Sequence, residues 1–521
     1  VSIIAPITSV QTPFLRFCRE GENKHDKYYQ EKTVKQKASI RAVTSGAVWV
    51  YMESILTQAV SFVVSMILAR LIAPENYGTI ALVMIFISLA DVFVGNGLGM
   101  AVIQKSDPDN VDYSTALITG LFLSLALYLA LYLSAPAIGG FFETADLIPV
   151  LRVMSLRVIL ASVGTIQNAY VAKQLKFRLS FVAGFGSAVI SSVVGIYLAY
   201  KGFGVWALVT QQLVSGVANV IILAIVSRWR LPLVFSIERL RPLFSFGWKV
   251  LFTHLSDVLY SKLNGLIIGK IYSPTDLAYY NRGDQIPMMI VGNVNQTIMR
   301  VLFPVLSDEQ SNLATIKNGS KRAIKTSTFI MSPLLIGLAV CAKPFVTLLL
   351  TEKWLGSVVY IQILCAVYLG MPINSINQLA MNAIGRSDIF LKIGLIKKVM
   401  GIFTLVFAIL LFDGPIAIGM ASLFSAPATI LINVHPNKKL IDYGLAEQMK
   451  DVAPSFVLGA LMGFVVFLIG LIPMPIGASL LLQILVGAFA YIVPAMLLKL
   501  DEYEYCLRLF ASIWTGRVRR I

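Results

Sequence analysis

Fourteen apolar stretches, each about long enough to cross a bilayer, follow one another from Ser45 to Leu498. A spanning helix needs about 20 mostly apolar residues. The stretches fall at 45–68, 78–103, 114–138, 147–170, 177–200, 204–227, 247–270, 283–305, 323–342, 358–384, 389–411, 415–434, 453–472 and 476–498. Runs this continuous exclude a membrane barrel, whose strands alternate over about 10 residues. Hardly any chain is left between them for a soluble domain. The sequence therefore predicts an all-α polytopic membrane protein of about 14 transmembrane helices. The stretches beginning at 147, 247 and 358 are the most polar, so twelve or thirteen crossings are the alternative.

Charged residues make up only 13% of the 521-residue chain, about half the share of a soluble domain. The net charge of +16 invites a nucleic-acid reading, but the placement of the basic residues argues for a membrane instead. Of 43 Lys and Arg, 30 fall in the N-terminal tail, alternate loops and the C-terminal tail. Six fall in the opposite loops: Arg70, Lys201, Lys270, Arg282, Lys343 and Lys353. This asymmetry is a positive-inside signal, and it places residues 1–44 and 499–521 as cytoplasmic tails. The start of the chain carries Pro6 and Pro13 and no basic leading segment, so it does not read as a cleaved secretory signal. Cys18, Cys341, Cys365 and Cys506 lack metal-ligand spacing and there are three histidines, so no metal site and no cofactor is expected.

The chain repeats itself. Residues 46–78 and 247–280 both start at a glycine and run to a small–basic–aliphatic triplet, Ala69-Arg70-Leu71 and Gly269-Lys270-Ile271. Pro74 and Pro274 follow, then Tyr77 and Tyr279. Six spans separate the copies, which implies two halves in the same orientation related by a pseudo-two-fold axis along the membrane normal. The expected organisation is an N-lobe at 45–230, an amphipathic linker at 231–246, a C-lobe at 247–434, and two extra helices within 435–498. The bodies of those two helices are almost free of charge, so they are expected to pack on the outside against lipid.

Charges inside spans are expensive and usually face a wet cavity or a partner. Lys325, Lys397 and Lys398 lie near a cytoplasmic end, where a long side chain snorkels; Arg152 lies near the outer end. Glu53, Asp91, Arg157, Asp257 and Lys262 lie deeper, and Arg300 shares the second span of the C-lobe. With the first two helices of each lobe face to face, Glu53, Asp91, Asp257, Lys262 and Arg300 form a charged lumen. Its carboxylates, Glu53, Asp91 and Asp257, take protons or sodium or balance the cations. Tyr260, Asn264, Asn293 and Gln296 suit sugar hydroxyls; the competing reading of each amide is a helix–helix hydrogen bond. Catalytic signatures are poor. Asp107-Pro108-Asp109 matches a D-x-D pattern but reads as a turn or helix cap, and no phosphate-binding G-x-x-x-x-G-K-[ST] loop is present.

Four segments, in this order and spacing, carry a family resemblance: 69–78 (ARLIAPENYG), 173–177 (KQLKF), 300–304 (RVLFP) and 352–354 (EKW), preceded by 44–49 (TSGAVW). The chain resembles the MOP superfamily of exporters over about 41–498. Within it, the likeness is to the Wzx-type polysaccharide flippases of the WzxC-like group. The resemblance implies a bacterial inner-membrane flippase of an undecaprenyl-pyrophosphate-linked oligosaccharide, driven by an ion gradient through an alternating cavity. It implies Arg157, Lys262 and Arg300 as partners of the pyrophosphate. It also implies a polysaccharide polymerase and a chain-length regulator as partner proteins, and no enzymatic activity. The rivals are a drug:cation antiporter of the same superfamily, which would favour few central cations, and a membrane glycan polymerase, which would need a large outer loop.

Overall fold

The computed structural model describes residues 49–515 apart from 51, 96, 97, 231 and 311. The tail expected at 1–44 lies outside the described residues. In hydrocarbon each backbone N–H and C=O needs an internal partner, and a helix supplies all of them. The chain accordingly runs through α1 (Met52–Leu71), α2 (Pro74–Gly95), α3 (Leu98–Gln104), α4 (Asn110–Phe141), α5 (Leu147–Met154), α6 (Leu156–Lys173), α7 (Phe177–Tyr200) and α8 (Val205–Ser227). It continues through α9 (Ile237–Ile271), α10 (Pro274–Asp308), α11 (Leu313–Val340), α12 (Ala342–Leu349), a 3₁₀ turn (Glu352–Ser357), α13 (Val358–Tyr368) and α14 (Met371–Ala383). The last elements are α15 (Ser387–Leu411), α16 (Ile416–Ile441), α17 (Leu445–Gly470), α18 (Ile476–Leu497) and α19 (Asp501–Thr515). No strand occurs among the described residues.

Eleven of these helices or unbroken helix pairs are long and apolar enough to span a membrane, and a pair bent by 41°, Glu352–Tyr368 with Met371–Ala383, makes a twelfth. The protein is a multi-pass membrane protein. The sequence stretches at 247–270 and 283–305 fall on α9 and α10, whose polar side chains keep them below that apolarity. Both are 35 residues long and begin well before those stretches. The amphipathic segment expected at 231–246 therefore runs into α9 from Ile237 onward.

The two matching segments adopt one local form. α1 ends at Leu71 and α2 starts at Pro74; α9 ends at Ile271 and α10 starts at Pro274. Ser273 caps α10 by accepting from Asp276 N–H at 3.1 Å, with Pro274 in the first turn, the position where its missing N–H costs nothing. The two turns touch: a Cβ built on Gly78 would lie 1.8 Å from the Pro274 carbonyl oxygen. Only a glycine permits this approach.

α2 packs on both α9 and α10, and Leu68, Leu82, Ile268 and Leu277 are fully buried at that seam. Beyond the matching elements, α17 packs along α11 and α18 packs on α17. Three buried bonds fix them: Ser332 Oγ to Ser455 O at 3.0 Å, Tyr491 OH to Phe329 O at 2.9 Å, and Gln483 Nε2 to Val466 O at 3.2 Å. The opposite face of α18 is apolar and exposed, with Phe489 68% accessible, as suits contact with lipid. An amide network ties α14 to α16 and α17. Asn437 Nδ2 donates to Asn377 Oδ1 at 2.7 Å, Gln448 Nε2 to the same oxygen at 3.0 Å, and Asn433 Nδ2 to Asn374 Oδ1 at 2.7 Å.

Candidate functional site: a cavity closed at one end

A cavity of about 520 Å³ lies between α1 and α10, with Phe345, Leu349 and Leu350 of the α12 region at its head. It is closed at the end where the two turns meet. There Arg70 donates through Nε to the Leu349 carbonyl at 2.9 Å and also reaches the Leu348 carbonyl. Fully buried Trp354 donates through Nε1 to Ala69 O at 2.8 Å. Along α10 the cavity runs from Asn281 to Gln296, with Arg282 and Ile286 buried and Asn281, Gln285, Asn293 and Gln296 exposed.

Arg282 occupies the closed end. Its Nη1 donates to Ser65 Oγ of α1 at 2.6 Å and to Gln285 Oε1 at 3.0 Å. Its guanidinium carbon lies 5.0 Å from the Tyr77 ring centre and 4.9 Å from that of Trp354, a cation–π sandwich. The residue is 7% exposed, and no carboxylate among the described residues pairs with it. A buried cation held only by neutral dipoles and rings keeps an unanswered charge, which a mobile anion in the cavity can answer. Asp284, two residues on, accepts from the Tyr368 hydroxyl and faces Lys262.

Sequence reasoning missed Arg282 because the apolar run begins at 283, which put it in an outer loop, and passed over Asp284 although it lies inside that run. The structure corrects this: Arg282 is in the third turn of α10. The signal was present in Ser273-Pro274-Thr275-Asp276, a helix-start signature nine residues ahead of the apolar run.

The residues singled out from the sequence separate into several places. Asn293 and Gln296 line the cavity. Lys262 lies beside Asp284. Arg157 donates to Gln212 Oε1 at 2.8 Å inside the α2–α6–α8 group and faces Asp91, whose Oδ1 is buried without a hydrogen-bond partner. Glu53 lies against Gly184 of α7. Asp257 pairs with Lys398 of α15 at 2.7 Å, and the carboxylate is 59% exposed. The Tyr260 hydroxyl abuts Gly401 of α15, and Asn264 Nδ2 donates to Tyr280 OH at 3.1 Å. Arg300 lies on α10 with its side chain outside the described residues. The structure does not gather these groups into a single lumen. Of the remaining lysines, Lys325 pairs with buried Glu502 at 2.7 Å and Lys397 donates to Asn433 Oδ1 at 3.3 Å.

The D-x-D segment is a helix cap. Asp109 accepts from Asp112 N–H at 2.8 Å at the start of α4, and Asp112 returns the bond from Asp109 N–H at 2.9 Å. No group of three or more His, Cys, Asp or Glu suited to a metal occurs among the described residues.

The fold is thus a membrane bundle of packed helix–turn–helix units around a cavity that holds a buried arginine. Residues 67–359 match the family described as "Polysaccharide biosynthesis protein", and the chain belongs to that family. It is 23% identical to the teichuronic acid biosynthesis protein TuaB of Bacillus subtilis (strain 168) over 351 residues, 67% of this chain and 73% of TuaB. It is 25% identical to the lipopolysaccharide biosynthesis protein WzxC of Escherichia coli (strain K12) over 377 residues, 69% and 74% of the two chains. Its fold is that of the lipid II flippase MurJ in an inward closed conformation, with a TM-score of 0.67, 17% identity, and coverage of 88% of this chain and 99% of that one.

Proposed function

We propose that the protein is a flippase that carries an undecaprenyl-pyrophosphate-linked oligosaccharide from the inner to the outer leaflet of a bacterial inner membrane. The observation that carries this reading is Arg282, a buried cation in no ion pair among the described residues, at the closed head of a cavity that Asp284 also lines. A pyrophosphate has at least two negative charges and accepts charge-assisted hydrogen bonds from guanidinium. The cavity is closed at the end opposite the one assigned to the cytoplasm by the positive-inside asymmetry, and the substrate is made on the cytoplasmic side. In this reading the chain crosses the membrane 14 times as two six-helix lobes with α17 and α18 appended, and both tails are cytoplasmic. The pyrophosphate docks on Arg282, with Lys262 and Arg300 on the same pair of helices, and the lipid chain stays in the bilayer.

Transport proceeds by alternating access, coupled to protons or sodium, and involves no covalent chemistry. Names of relatives that include teichuronic acid and lipopolysaccharide biosynthesis support a glycan cargo. A polysaccharide polymerase and a chain-length regulator are its partners. A drug:cation antiporter is the lesser reading, because the relatives named for a biosynthetic role are glycan proteins; charge does not decide it, since Asp284 lines the same cavity as Arg282.

Reconstitution of the full chain in proteoliposomes tests this. Translocation of a lipid-linked oligosaccharide, with no uptake of a cationic dye, is the expected result. Dye uptake without glycolipid translocation selects the antiporter. For orientation, a cysteine at Lys353 should label from outside the cell and one at Lys321 should not.

A further inference from the structure

The central cavity does not stop at α1. Ser61 and Ser65 of α1 line it on one side and line a second cavity, of about 510 Å³, on the other. That cavity lies among α1, α2, α7 and α8. It shares Ser187, Gln212, Ser215 and Asn219 with a third, of about 660 Å³, bounded by α3, α6 and α8. Three helices build the joined space in the same way. α1 contributes Thr57, Ser61 and Ser65; α8 contributes Gln211, Ser215 and Asn219; α7 contributes Gly184, Ala188 and Ser191. Each set steps by about four residues, so each is one polar or small face of an otherwise apolar helix.

In a membrane bundle such faces normally close helices onto one another. Here α7 and α8 do close onto one another, with Gln211 against Gly195, and the open space lies between that pair and α1. Gln211, Ser215 and Asn219 form no side-chain hydrogen bond among the described residues, so their donors and acceptors face the chamber.

Its one cation is already occupied. Arg157 is held by Gln212 Oε1 at 2.8 Å and faces the Asp91 carboxylate. Like Arg282, it makes no ion pair among the described residues, and the Gln212 amide is what holds it. Its wall sets hydroxyl and amide groups in a largely apolar surface, the make-up that suits a sugar, whose ring has apolar faces and polar edges. It matches the paired donors and acceptors of sugar hydroxyls, and the volumes lie in the range of small-molecule sites, about 300–1,000 Å³.

We infer that this N-terminal side chamber is the glycan subsite: the sugars of the cargo lodge among α1, α7 and α8 while the pyrophosphate rests on Arg282. This rests on the flippase reading and deepens it. It also moves sugar recognition away from Tyr260 and Asn264, which are engaged with α15 and Tyr280.

The test compares two probes on the full chain in nanodiscs: undecaprenyl pyrophosphate, and the same lipid bearing an N-acetylglucosamine disaccharide. Wild type should bind the glycosylated lipid at least about tenfold more tightly. Asn219→Leu should abolish that gain and leave the affinity for the bare lipid within about twofold. Ser191→Ala with Ser215→Ala, which removes hydroxyls without adding bulk, should reduce the gain several-fold in the same direction. Arg282→Gln should weaken both lipids. The inference is overturned if wild type binds the two lipids equally, if the chamber variants keep the gain, or if they weaken both lipids alike. Wild type that binds and moves neither lipid overturns the flippase reading itself, and the inference with it.

Discussion

Arg282 of α10 and Ser65 of α1 are joined by a 2.6 Å hydrogen bond at the closed head of the central cavity. The bond links the two helix–turn–helix units from within. A guanidinium that both closes the head and faces the cargo has two competing sets of partners. An arriving pyrophosphate offers it a charge that Ser65, Gln285, Tyr77 and Trp354 do not.

Loss of this cation should therefore stop transport rather than folding. Arg282→Gln is expected to lower glycolipid translocation by about 10- to 100-fold, the equivalent of roughly 1.5–3 kcal/mol for a hydrogen bond to a charged group. Arg282→Lys keeps the charge but not the flat stacking surface and should be intermediate. Flipping of a fluorescent lipid-linked oligosaccharide in proteoliposomes measures both, with thermal melting as the control for folding.

Trp354 closes the same end through Ala69 O at 2.8 Å. Trp354→Phe retains the ring and removes the N–H. The buried Ala69 carbonyl then loses this partner, a cost of about 1–3 kcal/mol to the closed form. Spin labels at Asn76 and Asp276, on the two turns, should show a longer and broader distance distribution than in the parent. An unchanged distribution would mean that the indole is only filler.

The turns themselves leave no spare room. Gly78→Val places a branched side chain where a single Cβ would already lie 1.8 Å from the Pro274 carbonyl. Backbone must move, and overpacking of this kind costs about 1–3 kcal/mol or more. The expected outcome is a bundle that still folds but no longer closes at this end. A cysteine at Ser65 in that variant should become reactive to a hydrophilic maleimide added from outside.

Much of the architecture was legible in the sequence because burial in lipid leaves the backbone little choice. Where described, the fourteen apolar stretches lie mostly on helix, and the matched turns at 71–74 and 271–274 have the same helix boundaries. The 14-fold crossing and the two-fold axis remain part of the functional proposal. The site was less legible, for a physical reason. Hydropathy marks where a helix enters hydrocarbon, not where it starts. α10 begins nine residues before its apolar run, and Arg282 falls in that gap. Depth likewise did not reveal direction. Asp257 and Lys262 are five residues apart on α9, yet one pairs with Lys398 and the other faces Asp284. The polar faces of α1, α7 and α8 consist of serines and amides that each read as ordinary helix contacts. Only their placement around open space gives them a common role.

One prediction concerns acid. Asp109 sits outside the spans, and its carboxyl is held below the usual carboxylate range by the Asp112 backbone N–H first, with help from Arg239 and Lys105. A folded-state value below the unfolded one, about 3.9, gives stability that is present above that value. It is lost as pH falls through the folded-state value. Asp109→Ala should cost about 1 kcal/mol at neutral pH, as loss of an N-cap does. The difference in melting temperature from the parent should shrink below about pH 4. A gap that persists unchanged into acid would assign the effect to shape rather than charge.

The backbone contact at Gly78 and Pro274 has a pharmacological consequence. With no side chain between the hairpin tips, rotamer changes cannot part them; whole helices have to swing. In the proposed orientation, a small rigid compound wedged beside the glycine would act as a doorstop, arresting the proposed cycle from the outer face without having to enter the cell.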